Sequence, residues 1–292
     1  MDVSIIIVNY KTVDLIKDAI DSIIKETEGI QYEIIVVDNC SEDNSKQILE
    51  NHFSSRVKYI PLSENLGFGR ANNEGVKIAK GRNILFLNPD TVLLNNAIKI
   101  LSDALDNDEK VGACGGNLYN GDLQPTTSYC LFFPSIFDIF RMPLKLYYGK
   151  NRLHNFSSKC RDVAFVIGAD MMIRASILKE TNGAFSPHFF MYLEETEFCY
   201  RIKKQGYRIL SVPSAKIQHL ESQSIRNIER KALWYYNSEI KYYELTHSKL
   251  YNFIVKKIYP LLASIEMMKS SKGKYKYELW NLKRKYHEEV NN

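Results

Sequence analysis

The stretch "VSIIIVNYKTVDLIKDAIDSIIKETEGIQYEIIVVDN" (residues 3–39) decides the fold. Residues 3–10 and 32–41 are rich in β-branched side chains, as is typical of strands buried on both faces of a parallel sheet. Between them, apolar residues recur at helical spacing over 12–27. A strand, a helix and a second strand in this order predict a βαβ unit.

The same alternation continues to about residue 110. Helical patterns over 41–53, 69–81 and 95–108 alternate with strand-like apolar runs at 57–62 and 83–91. This rhythm predicts an α/β protein with a doubly wound, mostly parallel sheet and helices on both of its faces.

After residue 110 the pattern loosens. An Asn-Gly turn indicates a hairpin over 115–129, and residues 162–178 are typical of a strand that runs into a helix. The spacing predicts a helix over 191–207 and a closing strand over 208–222.

Composition narrows the class of protein. With 45% hydrophobic and 25% charged residues, the 292-residue chain resembles an ordinary folded protein. It has no apolar run long enough for a transmembrane helix, and its N-terminus lacks the features of a signal peptide. The five cysteines are scattered and never spaced CxxC, which argues against a disulfide framework or a zinc site and predicts a cytoplasmic protein.

The segment 226–292 is basic and aromatic, with helical patterns interrupted at Pro260 and Gly273. It holds 14 Lys and Arg against 7 Asp and Glu, together with both tryptophans and nine of the 19 tyrosines. This composition predicts a helical tail in peripheral contact with an anionic membrane, at the inner face of the plasma membrane. The alternative is a solvated helical pair that packs on the body. No nucleic-acid partner is expected, and a monomer and a homodimer both stay open.

Polar side chains follow the predicted strands at the points where these strands end. Asn9 and Tyr10 follow the first strand, Asp38 and Asn39 the second, and Asn88 and Asp90 the fourth. In doubly wound sheets ligands bind at the carboxyl ends of the strands, so these residues indicate a ligand site. The G-x-G-x-x-G fingerprint and the Walker A motif are absent, which argues against a nucleotide-dependent dehydrogenase and against P-loop chemistry.

Three segments suit a nucleotide held without a P-loop. Asp38 can accept a hydrogen bond from a uracil or thymine N3–H or from a ribose hydroxyl, although a turn-forming role explains it equally well. The segment "ENLGFGRANN" (64–73) offers two glycines and Arg70. In "LNPD" (87–90), the oxygens of Asn88 and Asp90 suit Mg²⁺ or Mn²⁺, and the alternative is a type I turn.

Seven blocks occur in the order found in inverting GT-A glycosyltransferases of family 2. The chain most resembles the subgroup that contains rhamnosyltransferases of bacterial surface-polysaccharide assembly. The resemblance covers roughly residues 1–248, and it rests on the blocks "VSIIIVNYKT", "VVDNCSEDNS", "NLGFGRANNEG", "LFLNPDT", "FVIGADMMIR", "FFMYLEETEFCYR" and "GYRILSVPSAKIQH".

The resemblance implies a role for each candidate residue. Asn88 and Asp90 match the DxD-type element that holds the metal and diphosphate, with Mg²⁺ or Mn²⁺ as the cofactor. His219 matches a histidine that completes metal or diphosphate binding, and its alternative is an ordinary strand-end histidine. The residues implied in nucleotide-sugar binding are Asn9, Tyr10, Asp38, Asn65, Gly67, Arg70, Asn72 and Glu194.

The segment "MYLEETEFCYR" (191–201) carries three glutamates. At helical spacing, Glu194, Glu197 and Arg201 share one face and predict a charge-paired group. Glu195 lies off that face. In the family, the second acid of a Glu-Asp pair deprotonates the acceptor hydroxyl; here that position is Glu195, one methylene longer. The alternative is a surface glutamate.

Together these observations predict a GT-A catalytic domain at 1–225 and the helical tail at 226–292. Residues 1–110 form its nucleotide-sugar half and residues 111–225 its acceptor half. The implied reaction transfers a sugar, with dTDP-rhamnose as the favoured donor, to a saccharide or lipid-linked glycan with anomeric inversion. A UDP-hexose or UDP-galactofuranose donor remains open, as does a non-catalytic relative that only binds nucleotide or glycan.

Overall fold

The structure is a computed structural model that describes residues 1–135, 155, 158–220 and 228–257. Its helices are α1 (Val13–Glu26), α2 (Ser45–Phe53), α3 (Phe68–Val76), α4 (Ala97–Asp106), α5 (Ile177–Glu180), α6 (Glu194–Lys204) and α7 (Ile228–Thr246), with a further helix at 249–257. Its strands are β1 (Val3–Asn9), β2 (Tyr32–Asp38), β3 (Val57–Pro61), β4 (Asn83–Leu87), β5 (Thr91–Leu93), β6 (Val111–Tyr119), β7 (Tyr129–Cys130), β8 (Arg161–Asp162), β9 (Phe165–Val166), β10 (Asp170–Arg174) and β11 (Arg208–His219).

The chain divides into two compact units. The first comprises residues 1–133, 153–190 and 194–224, and the second comprises 134–152, 191–193 and 225–292. The first unit contains the main sheet. In the second, the described residues include the helix α7 and the three residues 191–193.

The main sheet has the strand order β3-β2-β1-β4-β10-β6-β11-β5, with β8 paired to β11. Strands β3, β2, β1 and β4 are parallel to one another, and β11 is parallel to β6. Alternate residues of β1 enter different apolar layers, Ile5 and Ile7 on one face and Ile6 and Val8 on the other. The predicted α/β sheet with both faces covered is confirmed.

Two features of the sheet differ from the predicted succession of parallel strands. The run at 83–91 is two strands, because Pro89 lacks an amide hydrogen for the ladder and the chain turns there. The second of them, β5, pairs antiparallel with β11. Strand β10 lies antiparallel between β4 and β6, so the sheet is mixed.

Two local predictions also change. The hairpin expected over 115–129 is present but short. Tyr119 bridges Pro125 in antiparallel fashion, the Asn120 amide donates to the Gln124 carbonyl at 2.8 Å, and the Thr126 amide donates to the Leu118 carbonyl at 2.9 Å. Tyr129 pairs instead with β9. The helix expected over 191–207 begins only at Glu194. Tyr192 and Leu193 have φ angles of 72° and 63°, outside the right-handed helical region, so the helix cannot extend back through them.

The cysteines and the longer helices bear on the expected lack of disulfides and of membrane-spanning segments. All five cysteines are free thiols. Within the residues that the structure describes, no helix has the length and hydropathy that a membrane crossing requires. Most of the basic segment 226–292 lies outside the described residues, so its contact with a membrane stays a prediction.

Candidate active site

The first two strands end side by side and bring Asn9 next to Asp38. Their backbones are in register, and the Asn9 Nδ2 donates to Asp38 Oδ1 at 2.8 Å and to the Ser45 hydroxyl at 2.9 Å. The Ser41 hydroxyl also donates to Asp38. Asp38 therefore has the turn-forming role that was its alternative explanation. The fully buried Asn9 also orients the Asp38 carboxylate. Tyr10, the next residue of the chain, is 41% exposed.

The loop at 65–67 is fixed by Asn39, one of the polar residues at the predicted strand ends, for which no binding role was predicted. The Asn39 Oδ1 accepts from the Leu66 amide at 2.8 Å, and its Nδ2 donates to Asn65 Oδ1 at 2.9 Å. Gly67 has a φ of 81°, and a Cβ added there would lie 2.1 Å from the Phe190 carbonyl oxygen. Glycine is therefore required at 67 for both conformation and space.

The helix α3 that follows holds the other two residues predicted for this segment. The Arg70 Nε donates to the Leu66 carbonyl at 2.7 Å, and the side chain is half-buried. Asn72 is buried and donates to the Phe68 carbonyl one turn earlier at 3.0 Å, so it is satisfied within its own helix. Asn73 instead bonds the backbone of Phe185. Its Nδ2 donates to the Phe185 carbonyl, and its Oδ1 accepts from the Phe185 amide.

The three predicted metal ligands lie together. The His219 Nε2 is 3.3 Å from Asp90 Oδ1 and 3.3 Å from Asn88 Nδ2. Pairing of β5 with β11 produces this arrangement, because it places His219 opposite Thr91. The Leu220 amide also donates to the Asp90 carbonyl at 3.0 Å. Residues 130 positions apart in the chain are thereby fixed at one sheet edge.

The donor set of this cluster fits a hard divalent cation. One carboxylate, one imidazole and one amide are too few to enclose an ion. No group of three His, Cys, Asp or Glu side chains that could hold an ion occurs among the described residues. Mg²⁺ and Mn²⁺ sites that also bind nucleotide phosphates typically take only one or two carboxylates from the protein. With the ring proton on Nδ1, the His219 Nε2 presents a lone pair to the Asn88 Nδ2 and beside the Asp90 carboxylate, so nitrogen and oxygen donors suited to a cation lie side by side.

The three glutamates of α6 occupy different environments. The Glu197 carboxylate receives the Arg201 Nε at 2.9 Å, so this predicted ion pair is confirmed. Arg201 also donates to the carbonyls of Thr181, Gly183 and Ala184. Glu194 was predicted to belong to this group, and that prediction is wrong. It is buried, and its Oε2 has no hydrogen-bond partner among the described residues. Glu194, the first residue of α6, thus lies on the buried side of the helix.

Glu194 and Glu195 each lie beside a glycine. A Cβ added at Gly69, near the start of α3, would lie 3.4 Å from the Glu194 Cβ. A Cβ added at Gly168 would lie 3.4 Å from the Cβ and Cγ of Glu195. The Glu195 Oε1 also accepts from the Thr196 hydroxyl at 3.1 Å. The side chains of the two neighbouring glutamates thus lie beside different segments of the chain.

Burial raises the pKa of both acids. For Glu194 the neighbouring Glu195 carboxylate adds to this effect, because two close negative charges disfavour each other. A raised pKa makes the Glu195 carboxylate a stronger proton acceptor, which is what a general base that works near neutral pH needs.

The segment 168–170 joins the two halves of the site and was not predicted as part of it. Gly168 lies beside Glu195, and the Ala169 carbonyl accepts from the backbone amide of Asn88 at 2.9 Å. Asp170 is fully buried, and its Oδ2 accepts from the Gly116 amide at 2.6 Å. Burial raises the pKa of Asp170 to about 7, while the Gly116 amide and His219 act in the opposite direction.

This buried carboxyl predicts a specific pH dependence of stability. Below pH 3.8 Asp170 is protonated in both states and has no effect. Between pH 3.8 and about 7 the unfolded chain releases the proton while the folded protein keeps it, so the free energy of unfolding falls as pH rises. We expect Asp170→Asn to remove this slope, a relative change of up to about 4 kcal/mol between pH 4 and pH 8, as measured by urea unfolding in EDTA.

The surface variant Asp103→Asn is the matched control, since Asp103 is exposed in an ion pair with Lys99. It removes the same charge from an exposed position and should leave the slope as in the unmodified protein. Parallel pH profiles for Asp170→Asn and the unmodified protein would contradict the prediction.

Comparison with known proteins supports the family that the motifs resemble. The model of the family described as "Glycosyl transferase family 2" matches residues 4–181. Low-salt glycan biosynthesis hexosyltransferase Agl10 of Haloferax volcanii is 28% identical over 223 residues, which are 71% of this chain and 64% of that protein. Rhamnosyltransferase WbbL of Escherichia coli K12 is 27% identical over 250 residues, which are 82% of this chain and 92% of that protein. The match thus spans less than two thirds of Agl10.

Among solved structures, the fold resembles that of the mannosyltransferase PcManGT from Pyrobaculum calidifontis, which was solved in complex with GDP-Man and Mn²⁺. The TM-score is 0.59 at 15% identity, over 90% of this chain and 72% of that one. At this identity the likeness concerns the fold, which is the GT-A fold. Since the family match extends over more than half of its length, the chain belongs to glycosyl transferase family 2.

Proposed function

We propose that this chain is an inverting glycosyltransferase of cell-surface polysaccharide synthesis. It moves a sugar from a nucleotide-sugar donor to a saccharide hydroxyl, and dTDP-rhamnose is the favoured donor. The observation that carries the proposal is the segment 168–170. It lies beside Glu195 at one end, and in its middle it accepts a hydrogen bond from the backbone amide of Asn88. It thus links the proposed base to the proposed metal and diphosphate site within one compact unit.

The proposed reaction is a single displacement. The acceptor hydroxyl oxygen attacks the anomeric carbon as the bond from that carbon to the diphosphate oxygen breaks on the opposite face. The hydroxyl proton passes to an oxygen of Glu195, and the electron pair of the broken bond leaves with the nucleoside diphosphate. Attack opposite to the departing group inverts the anomeric configuration.

The residues that would hold the cation are Asp90, His219 and Asn88. A divalent cation bound there would supply positive charge to the departing diphosphate. The nucleoside and sugar are proposed to lie along Asp38 and the fixed loop at 65–67. There the conformation of Gly67 and the bonds from Asn39 present the backbone closely to a ligand.

The choice of donor rests on the relatives. WbbL is named a rhamnosyltransferase and matches 82% of this chain, whereas Agl10 is named only a hexosyltransferase. The proposed acceptor is a lipid-linked glycan, supported by the excess of positive charge in residues 226–292. Within the described part of that segment, Leu250 and Phe253 are exposed beside Lys249 and Lys256.

A donor screen tests the proposal. The protein is incubated with dTDP-rhamnose, UDP-glucose, UDP-galactose, UDP-N-acetylglucosamine or UDP-galactofuranose, each with Mn²⁺, Mg²⁺ or EDTA. Thermal stability and release of nucleoside diphosphate are measured. We expect dTDP-rhamnose to give the largest stabilisation and the fastest release, both dependent on the metal, because mass action favours the folded state that binds the ligand.

The outcomes separate the alternatives. Preference for a UDP-sugar keeps the reaction and replaces the donor. Stabilisation by a donor without release, also in the presence of short saccharide acceptors, favours a non-catalytic binding protein. Retention of the anomeric configuration in the transfer product, read by proton NMR, would contradict the single displacement.

A further inference from the structure

The tripeptide 191–193, which Glu194 separates from the proposed base, contains two residues with an unusual backbone. Residues 191–193 directly precede Glu194 and Glu195, and both Tyr192 and Leu193 have left-handed φ angles, 72° and 63°. A residue other than glycine in this conformation costs on the order of 1–3 kcal/mol and persists only when its surroundings impose it. Contacts elsewhere in the protein must therefore hold this tripeptide.

Two contacts to the tripeptide come from the helix α7. The Ser238 hydroxyl donates to the Met191 carbonyl at 2.7 Å, and Ser238 is only 5% exposed. One helical turn earlier, the Tyr235 ring lies 6.0 Å from the Tyr192 ring at an angle of 57°. Tilted aromatic pairs at this separation attract each other. These contacts group residues 191–193 with the second compact unit, to which Ser238 belongs.

The chain is also anchored on both sides of the tripeptide. Before it, the Phe190 carbonyl accepts from the Phe68 amide at 2.9 Å, where Gly67 leaves the space. After it, α6 is held by the Glu197–Arg201 ion pair and the carbonyl contacts of Arg201. The peptide that joins Met191 to Tyr192 is thus the adjustable link, and Ser238 bonds the carbonyl of that peptide.

We propose that Ser238 is a positioning residue for the transfer reaction. By fixing the peptide between Met191 and Tyr192, it sets the left-handed turn at 192–193 and, through the covalent chain, the direction in which α6 starts and Glu195 points. Ser238 lies well beyond residues 4–181, which the family model matches. The inference rests on the proposed function, because it needs Glu195 to act as the base.

The test is Ser238→Ala, with Ser238→Thr as the conservative variant that keeps the hydroxyl. For Ser238→Ala we expect kcat to fall roughly 10- to 100-fold, since displacement of a reacting group by about 1 Å has an effect of that size. The KM for the donor should change less than about threefold, because residues 65–67 and the metal cluster are untouched. Ser238→Thr should restore kcat to within about threefold of the unmodified protein.

Thr246→Val is the matched control, because its hydroxyl donates to the Tyr242 carbonyl at 2.6 Å within the same helix, about two turns after Ser238. It should leave kcat unchanged. Hydrogen exchange of the peptide spanning residues 190–197 is measured alongside, and Ser238→Ala should accelerate it. A normal kcat in a folded Ser238→Ala protein would overturn the proposal, even if the melting temperature falls.

Failure of the proposed function gives a different result. If the unmodified protein transfers no sugar with any donor, the role of Glu195 falls, and with it the catalytic part of the inference. The exchange measurement still decides whether Ser238 holds the tripeptide, since it needs no substrate. Unchanged exchange in Ser238→Ala would overturn that structural step independently.

Discussion

Glu195→Gln is expected to lower kcat by roughly 10²- to 10⁴-fold and to leave the Kd for the nucleotide-sugar within about threefold. Glutamine has nearly the same shape and can still accept from the Thr196 hydroxyl, as Glu195 does at 3.1 Å. It cannot take a proton from the acceptor hydroxyl at neutral pH. Steady-state kinetics with the donor found by the screen gives kcat, and calorimetric titration gives the Kd.

Glu197→Gln is the matched control on the same helix. It removes the same charge, but from the ion pair with Arg201, whose guanidinium also ties down the carbonyls of Thr181, Gly183 and Ala184. This variant should lose thermal stability and keep most of its kcat. If Glu195→Gln turns over as fast as the unmodified protein, Glu195 is not the base.

Periodicity predicted the first half of the fold because each element there has its own clear signal. The β1 and β2 runs are continuously apolar, and both of their faces are buried in the sheet. The second half could not be ordered in this way. Strand β10 has the composition of a parallel strand, but it runs antiparallel between β4 and β6, and only long-range pairing determines this direction.

The site could be predicted where its residues follow strand ends, and could not where tertiary contacts create it. Asn88 and Asp90 were visible after an apolar run. The separate strand β5, which brings His219 to them, spans only three residues and gives no periodic signal of its own. Without the family resemblance, His219 had no local feature to distinguish it from an ordinary strand-end histidine.

Asn39 and Asp170 show a different limit. Asn39 sits beside Asp38 at a strand end, so its polarity was visible, but its two bonds to the loop at 65–67 depend on the packing of that loop. Asp170 begins an apolar strand, and an acid in that position was a signal that could have been read. Acidic residues are almost never fully buried without a partner or a function, so an acid in a core strand marks a site to examine.

Asp90→Asn is expected to abolish metal-dependent donor binding and to lower kcat/KM by roughly 10²- to 10⁴-fold, since a cation at a departing diphosphate contributes several kcal/mol. Asp90 supplies the only carboxylate of the cluster with Asn88 and His219. Its backbone carbonyl, which accepts from the Leu220 amide at 3.0 Å, is unaffected by the change. Calorimetric titration of nucleoside diphosphate with Mn²⁺ or with EDTA measures the effect.

The exchanged variant Asn88→Asp/Asp90→Asn distinguishes a ligand from a merely structural acid. Both side chains lie 3.3 Å from the His219 Nε2, so moving the carboxylate to position 88 keeps one negative charge beside the same imidazole. If the carboxylate serves as a metal ligand, the exchange should restore part of the Mn²⁺-dependent binding that Asp90→Asn loses. If Asp90→Asn itself keeps full turnover, or if turnover of the unmodified protein does not respond to EDTA, the cluster does not hold a catalytic cation and the diphosphate must be stabilised by other groups.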